Sequence, residues 1–590
     1  MSGSEPTSEG TEGVRNEAAS DAAAVSRRAF LGGAASAGAA GILSASIASS
    51  ASAQGNGNGN GHGGGGGGGG SSGMRRREAA YRVRLEASQL NRARPMIDHV
   101  SNGDEDRYAD KIGNYSKGLP HNRFGEVDVA AYAVLQDAAQ REDADRFEDV
   151  PSGNSDPATR IKLTNPQAGM AFELEGSDSH QLGQPPAPAF ASAWAAGEVV
   201  ENYWMAHLRD VPFEEYGTNP LAIAAAAELS SLSDFRGPKE GGLVTARTMF
   251  RDGAPGTSVG PWISQFFWLA QPFGAQFIEP RIRTTAPGLD YLTTPAAWLS
   301  AQNGVRPSTP GTFDPTLRYI RNGRDLAQWV HIDVLFQAYF QALLTLMQGP
   351  ASDPRFSGLA APLNPGNPYN ASQIQAGFGT FGGPYFATIL CEIATRALKA
   401  VWFQKWFVHR RIRPEEFAGR VHHKLASGRP YPLHADVLDS QAVAEAFSRN
   451  GTYLLPLAFP EGCPTHPAYG AGHATVAGAC VTILKALFDE RKPIVELTQP
   501  QVATSDGLAL VPYVGSDVSQ MTVGSELNKL ASNVAFGRNI AGVHWRTDGS
   551  ESMRLGEEVA ICVLRDQRLT FTERFEGFTF TKFDGTTVTV

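Results

Sequence analysis

Five stretches of this chain repeat apolar residues every three or four positions, and that period decides the architecture. They run over 190–207, 325–348, 384–411, 473–490 and 549–567. The repeat places apolar side chains on one face of a helix, and such a face must be buried against another. The predicted class is therefore mainly α: a helical bundle in one compact domain. Long loops rich in Pro and Gly, such as 254–262 and 349–383, decorate it. The tail departs from this. Residues 578–590, FTFTKFDGTTVTV, alternate strictly around Asp584-Gly585 and predict a small β-hairpin.

The amino-terminal region lies apart from that body. Arg27-Arg28 precede a weakly apolar run of Ala, Gly and Ser, which ends in a small-residue cleavage site at Ala51-Ser52-Ala53. Residues 1–53 read as a twin-arginine export signal. An anchoring helix is the alternative, disfavoured by the scarcity of large apolar residues. Residues 54–73 read as a Gly-rich linker, with His62 solvated, and 74–590 as the folded body. The expected location is the periplasm or beyond the cell, with no membrane association once the signal is removed. The net charge of −9 argues against nucleic acid as a partner. The His- and Arg-rich run 409–434 reads as a solvated or subunit-facing surface. Four cysteines are too few for a disulfide scaffold. Cys463 and Cys480 could pair across a loop, or all four could be buried thiols, and both readings stay open.

Three segments gather cations and histidines where an apolar helix meets a loop. In 405–416, KWFVHRRIRPEE, Pro414 disfavours helix at Arg413, which places Lys405 and Arg413 about two turns apart at a helix exit. Arg410 and Arg411 read there as ordinary cations at a helix C-terminus. In 465–475, THPAYGAGHAT, free N–H groups at a helix start attract anions. Gly472 permits close backbone approach and His473 adds a titratable donor. No GxGxxG pattern precedes it, so a dinucleotide site is not indicated. In 537–548, GRNIAGVHWRTD, Gly542 is placed to end a helix and let Arg538 and His544 converge. Asp548, four residues after His544, can fix its tautomer if a helix resumes there.

Taken in order, Lys405, Arg413-Pro414, Gly472-His473, Arg538, His544 and Asp548 resemble the vanadium-dependent haloperoxidases, whose vanadate site is shared with the type 2 phosphatidic acid phosphatases. The motif resemblance covers about 402–548. It implies a helical haloperoxidase fold, a homo-oligomer, and one vanadate per subunit. By the same resemblance His544 would bind the metal directly, oriented by Asp548. Lys405, Arg413, Arg538 and the Gly472 amide would hold the oxoanion's oxygens, and His473 would act as acid–base. Lys405 would also donate to bound peroxide and make one of its oxygens more electrophilic. The implied partners are hydrogen peroxide, a halide and a small organic acceptor.

The match is imperfect. Ala471 stands where the family has serine, so one hydrogen bond to the oxoanion is missing, worth about 1.5–3 kcal/mol to a charged group. His466 resembles the extra histidine of algal bromoperoxidases, whereas Trp402 resembles the tryptophan of chloroperoxidases. Together with the weakened cradle, these point to bromide and iodide ahead of chloride. Two rival readings use the same pocket. One is a phosphate monoester hydrolase with His544 as nucleophile; the other is a protein that binds vanadate or phosphate without turnover.

Overall fold

The computed structural model describes residues 69–308 and 311–590. The expected export signal and residues 54–68 of the expected linker lie outside the described residues. A helix over Gly69–Ala93 takes residues 69–73, which the sequence reading gave to the linker.

The helices that build the pocket are α1 (Ala193–His207), α2 (Gly323–Ile332), α3 (Gln337–Met347), α4 (Gly383–Phe403), α5 (Pro414–Ser427), α6 (Gly472–Leu487), α7 (Val523–Ile540) and α8 (Arg546–Arg568). α6 lies at the centre, packed by α4, α7 and α8. Its sequence, GHATVAGACVTILKAL, is apolar on every face, and all of it but His473 is buried. Small residues set the closest approach. A Cβ at Gly478 of α6 would collide with the Met553 carbonyl of α8, and one at Gly556 of α8 with the Thr475 carbonyl of α6. In the tail, β1 (Thr579–Thr581) pairs antiparallel with β2 (Thr587–Thr589) around Gly585, whose φ is +84°.

Two expectations need correction, and one open reading is decided. The predicted single helix over 325–348 is two, α2 and α3, bent by 100°. A continuing helix would bond the Val334 amide to the Val330 carbonyl. Instead Val334 donates to Gln337 Oε1, Asp333 is extended, and the Val330 carbonyl accepts from Arg538. The run 409–434 is no solvated surface at its functional end. His409, Arg410, Arg411, Arg413, Arg420, His422 and His423 are all buried, because carboxylates, carbonyls and aromatic rings from distant segments cover them. Of the two readings left open for the cysteines, free thiols hold: all four are unpaired, three of them buried and Cys391 partly so.

Candidate active site

α4 loosens into a π-helical turn over Gln404–His409, ends at Arg410 in the left-handed region, and continues extended to Arg413, the N-cap of α5. This path turns both Lys405 and Arg413 inward. Lys405 Nζ donates to the carbonyls of Pro467 (2.8 Å) and Ala468 (3.0 Å). Arg413 donates to the carbonyls of His466 (2.9 Å) and Val543 (2.6 Å), to His466 Nδ1 (2.8 Å), and to His544 Nε2 (3.0 Å).

α7 stops at Ile540 and Gly542, with φ of +85°, turns the chain so that His544 sits just before α8. There His544 Nδ1 lies 2.8 Å from Asp548 Oδ2. A carboxylate on one ring nitrogen and a guanidinium on the other select one tautomer: Nδ1 carries the proton and Nε2 keeps its lone pair. Burial, then Arg413 and Lys405, hold the imidazole well below its ordinary pKa. Arg538, from the last turn of α7, reaches the Val330 carbonyl at 2.7 Å and lies over the Phe459 ring.

The third segment supplies the floor. Ala471 is the N-cap of α6 and offers no side-chain cap; its amide donates to Ser552 Oγ at 2.8 Å. A Cβ at Gly472 would stand 3.1 Å from Trp402 Cζ3, so glycine allows the backbone to approach the indole. Trp402 packs against His466, with ring centroids 4.8 Å apart, and lies 5.6 Å from Lys405 Nζ. His473 is the one partly exposed member, and its Nε2 lies 3.0 Å from Asp333 Oδ1.

Charge balance shows what the pocket can hold. Lys405, Arg413 and Arg538 are buried, and among the described residues no carboxylate oxygen lies within 4.0 Å of their side-chain nitrogens. Burial, helped by Arg413, lowers the Lys405 ammonium well below its usual range, and burial brings Arg538 down to about 10. Arg538 Nε has no hydrogen-bond partner within the protein. Buried charges are stable only when paired. A cluster of cations whose side chains pair directly with no carboxylate, beside an imidazole lone pair and a helix N-terminus, fits an oxoanion that also accepts a nitrogen ligand. The donor set therefore suits vanadate.

The structure thus brings together Lys405, Arg413, Gly472, His473, Arg538, His544, Asp548, His466, Trp402 and Ala471. Sequence reasoning missed Asp333, hidden in a run read as unbroken helix, and Arg411, read as a helix-end cation. Arg411 is instead buried between Asp548 and Glu198.

A family model described as the VCPO second helical-bundle domain matches residues 394–571, which contain Arg411 and all ten residues brought together above, while Asp333, Val330 and Glu198 lie outside it. The vanadium-dependent bromoperoxidase of Corallina officinalis is 33% identical over 604 residues, covering 87% of this chain and 98% of that protein. The chain belongs to the vanadium-dependent haloperoxidases. Within this family, the vanadium-dependent bromoperoxidase of Ascophyllum nodosum is 34% identical over 505 residues, covering 83% of this chain and 87% of that protein. A solved haloperoxidase structure, the second vanadate-dependent bromoperoxidase (AnII) of A. nodosum, described as homohexameric, matches with a TM-score of 0.80. It is 31% identical and covers 87% of this chain and 90% of its own.

Proposed function

We propose that this haloperoxidase uses hydrogen peroxide to oxidise bromide and iodide to the hypohalous acid, with one vanadate held in each subunit. The observation that carries this reading is the trio of buried cations, their side chains in direct contact with no carboxylate among the described residues, that acts on His544, with Arg413 at its Nε2. Bound vanadate supplies one thing: activation of peroxide towards halide, with no change in the metal's oxidation state. The chain supplies the rest. His544 offers Nε2 as the ligand while Asp548 keeps the proton on Nδ1. Arg413, Lys405, Arg538 and the Gly472 amide hold the oxoanion's oxygens. His473, tied through Nε2 to Asp333, has Nδ1 left to move protons at the open side of the pocket. One proton is consumed for each halide oxidised, since halide, peroxide and a proton give hypohalous acid and water.

Trp402 and His466 form one wall, and together with the hydroxyl missing at Ala471 they place chloride well behind bromide and iodide. The released hypohalous acid halogenates small organic acceptors. The enzyme works as a homo-oligomer, a reading supported by the homohexameric AnII. The twin-arginine segment read in the sequence sends it to the periplasm or beyond the cell.

Halide dependence tests the reading. With peroxide and orthovanadate, kcat/KM for bromide and iodide should exceed that for chloride by at least tenfold, and His544→Ala should abolish all three. Equal use of chloride would refute the role given to the Trp402–His466 wall. Release of phosphate from a nitrophenyl ester, inhibited by vanadate and without any halogenation, would favour the hydrolase.

A further inference from the structure

Arg411 forms an antiparallel bridge with Asn114, and Arg413, the extended N-cap of α5, follows two residues on; both side chains reach the His544–Asp548 pair. Arg413 donates to Nε2 of His544. Arg411 addresses the other nitrogen through one intermediary: its Nη1 lies 2.8 Å from Asp548 Oδ1, and Asp548 Oδ2 lies 2.8 Å from His544 Nδ1. The Trp545 amide is the other donor to Oδ2, at 3.2 Å. Among the described residues Arg411 is thus the one donor to Oδ1 of a carboxylate that is wholly buried.

Arg411 is itself held on several sides. Its Nη2 lies 2.7 Å from Glu198 Oε2 on α1, and its guanidinium lies 4.6 Å from the Trp545 ring centroid. Trp545 Nε1 returns a hydrogen bond to the Ile412 carbonyl at 2.9 Å. Glu198 also accepts from the Thr547 amide and hydroxyl, so it fixes the first turn of α8, which carries Asp548. The Arg411 carbonyl accepts from the Ala468 amide at 3.0 Å, in the loop whose carbonyls hold Lys405.

We propose that Arg411, braced by Glu198, is a positioning residue for the vanadium ligand: it locks the Asp548 carboxylate in the one rotation that fixes the His544 tautomer and aims Nε2 into the pocket. Arg411 thus acts on the Nδ1 side of the imidazole through Asp548, while Arg413 lies 3.0 Å from Nε2, whose lone pair the vanadate would take. Without Arg411, Oδ1 of a buried carboxylate loses its donor, and the carboxylate is free to turn off the imidazole. This inference rests on the function proposed above for its ligand.

A double-mutant cycle on orthovanadate binding, followed by equilibrium dialysis, tests it. Arg411→Met should weaken binding about tenfold to a hundredfold, the range for partners one step removed from a metal ligand. In an Asp548→Asn background the same change should weaken binding less than about threefold, because the path it acts through is already cut. An equal loss in both backgrounds would overturn the proposal and leave Arg411 a merely structural residue. Arg411→Lys and Glu198→Gln, which keep more of the packing, carry the same cycle if Arg411→Met does not fold. A second readout needs no vanadate. In vanadate-free protein, the low-field Nδ1 proton resonance of His544, assigned by its loss in His544→Gln, should vanish in the Arg411 variant as it does in Asp548→Asn. Persistence of that resonance would also overturn the proposal. Failure of the wild type to bind vanadate, with the resonance behaving as expected, would count against the proposed function alone.

Discussion

At Ala471 a single methyl stands at the N-cap of α6, where a hydroxyl has two possible uses. It can cap a free N–H of the helix, worth about 1 kcal/mol, or donate to the oxoanion, worth about 1.5–3 kcal/mol. Ala471→Ser should therefore tighten orthovanadate binding about tenfold in an equilibrium titration, since about 1.4 kcal/mol is one decade. A higher melting temperature without vanadate, and no gain in affinity, would mean that the hydroxyl turns to the helix instead. Most of the pocket was legible at this scale. Lys405, Arg413, Gly472-His473, Arg538 and His544 each sit at a helix end with an unusual density of charge, and short-range rules find such positions. Arg411 was not legible, because its meaning depends on Glu198, 213 residues away. Nothing local distinguishes it from the neighbouring Arg410, which pairs with Glu105.

Among the elements, α6 and α8 depend on glycine at their crossing. Gly556→Ala would drive a methyl into the Thr475 carbonyl, and backbone cannot yield as a flexible side chain can. We expect a loss of about 1–3 kcal/mol or more in chemical denaturation. A loss under about 0.5 kcal/mol would mean that the two helices are not in such close contact. The apolar period located the helices named in the sequence but not the break between α2 and α3. That break contains neither Pro nor Gly; long-range bonds make it, with Arg538 taking the Val330 carbonyl and His473 taking Asp333. The pocket thus bends its own wall, and a reading that sees only sequence neighbours has no access to that cause.

Over the whole molecule, burial keeps several histidines neutral: His409 and His121 are brought down to about 3, and His207 and His423 to about 4. Below pH 6.5 the unfolded chain binds protons that the fold refuses, so each such group lowers stability as pH falls from 6.5 towards its folded value. His409 isolates the effect, since both its ring nitrogens lack protein partners and its ring packs on Tyr469. His409→Phe should leave stability nearly unchanged at pH 8, then gain on the wild type by up to about 1.4 kcal/mol per pH unit between 6.5 and 4. A gap that does not vary with pH would show that His409 titrates in the fold as it does in the unfolded chain. The same burial that excludes protons from these rings gathers Lys405, Arg413 and Arg538 about His544. The most direct test is peroxide-dependent bromination by vanadate-free protein as orthovanadate is added. The account predicts no activity at the start and a rise that saturates at one vanadium per subunit. Bromination that is present without vanadate, or that never appears while vanadate binds, would contradict it.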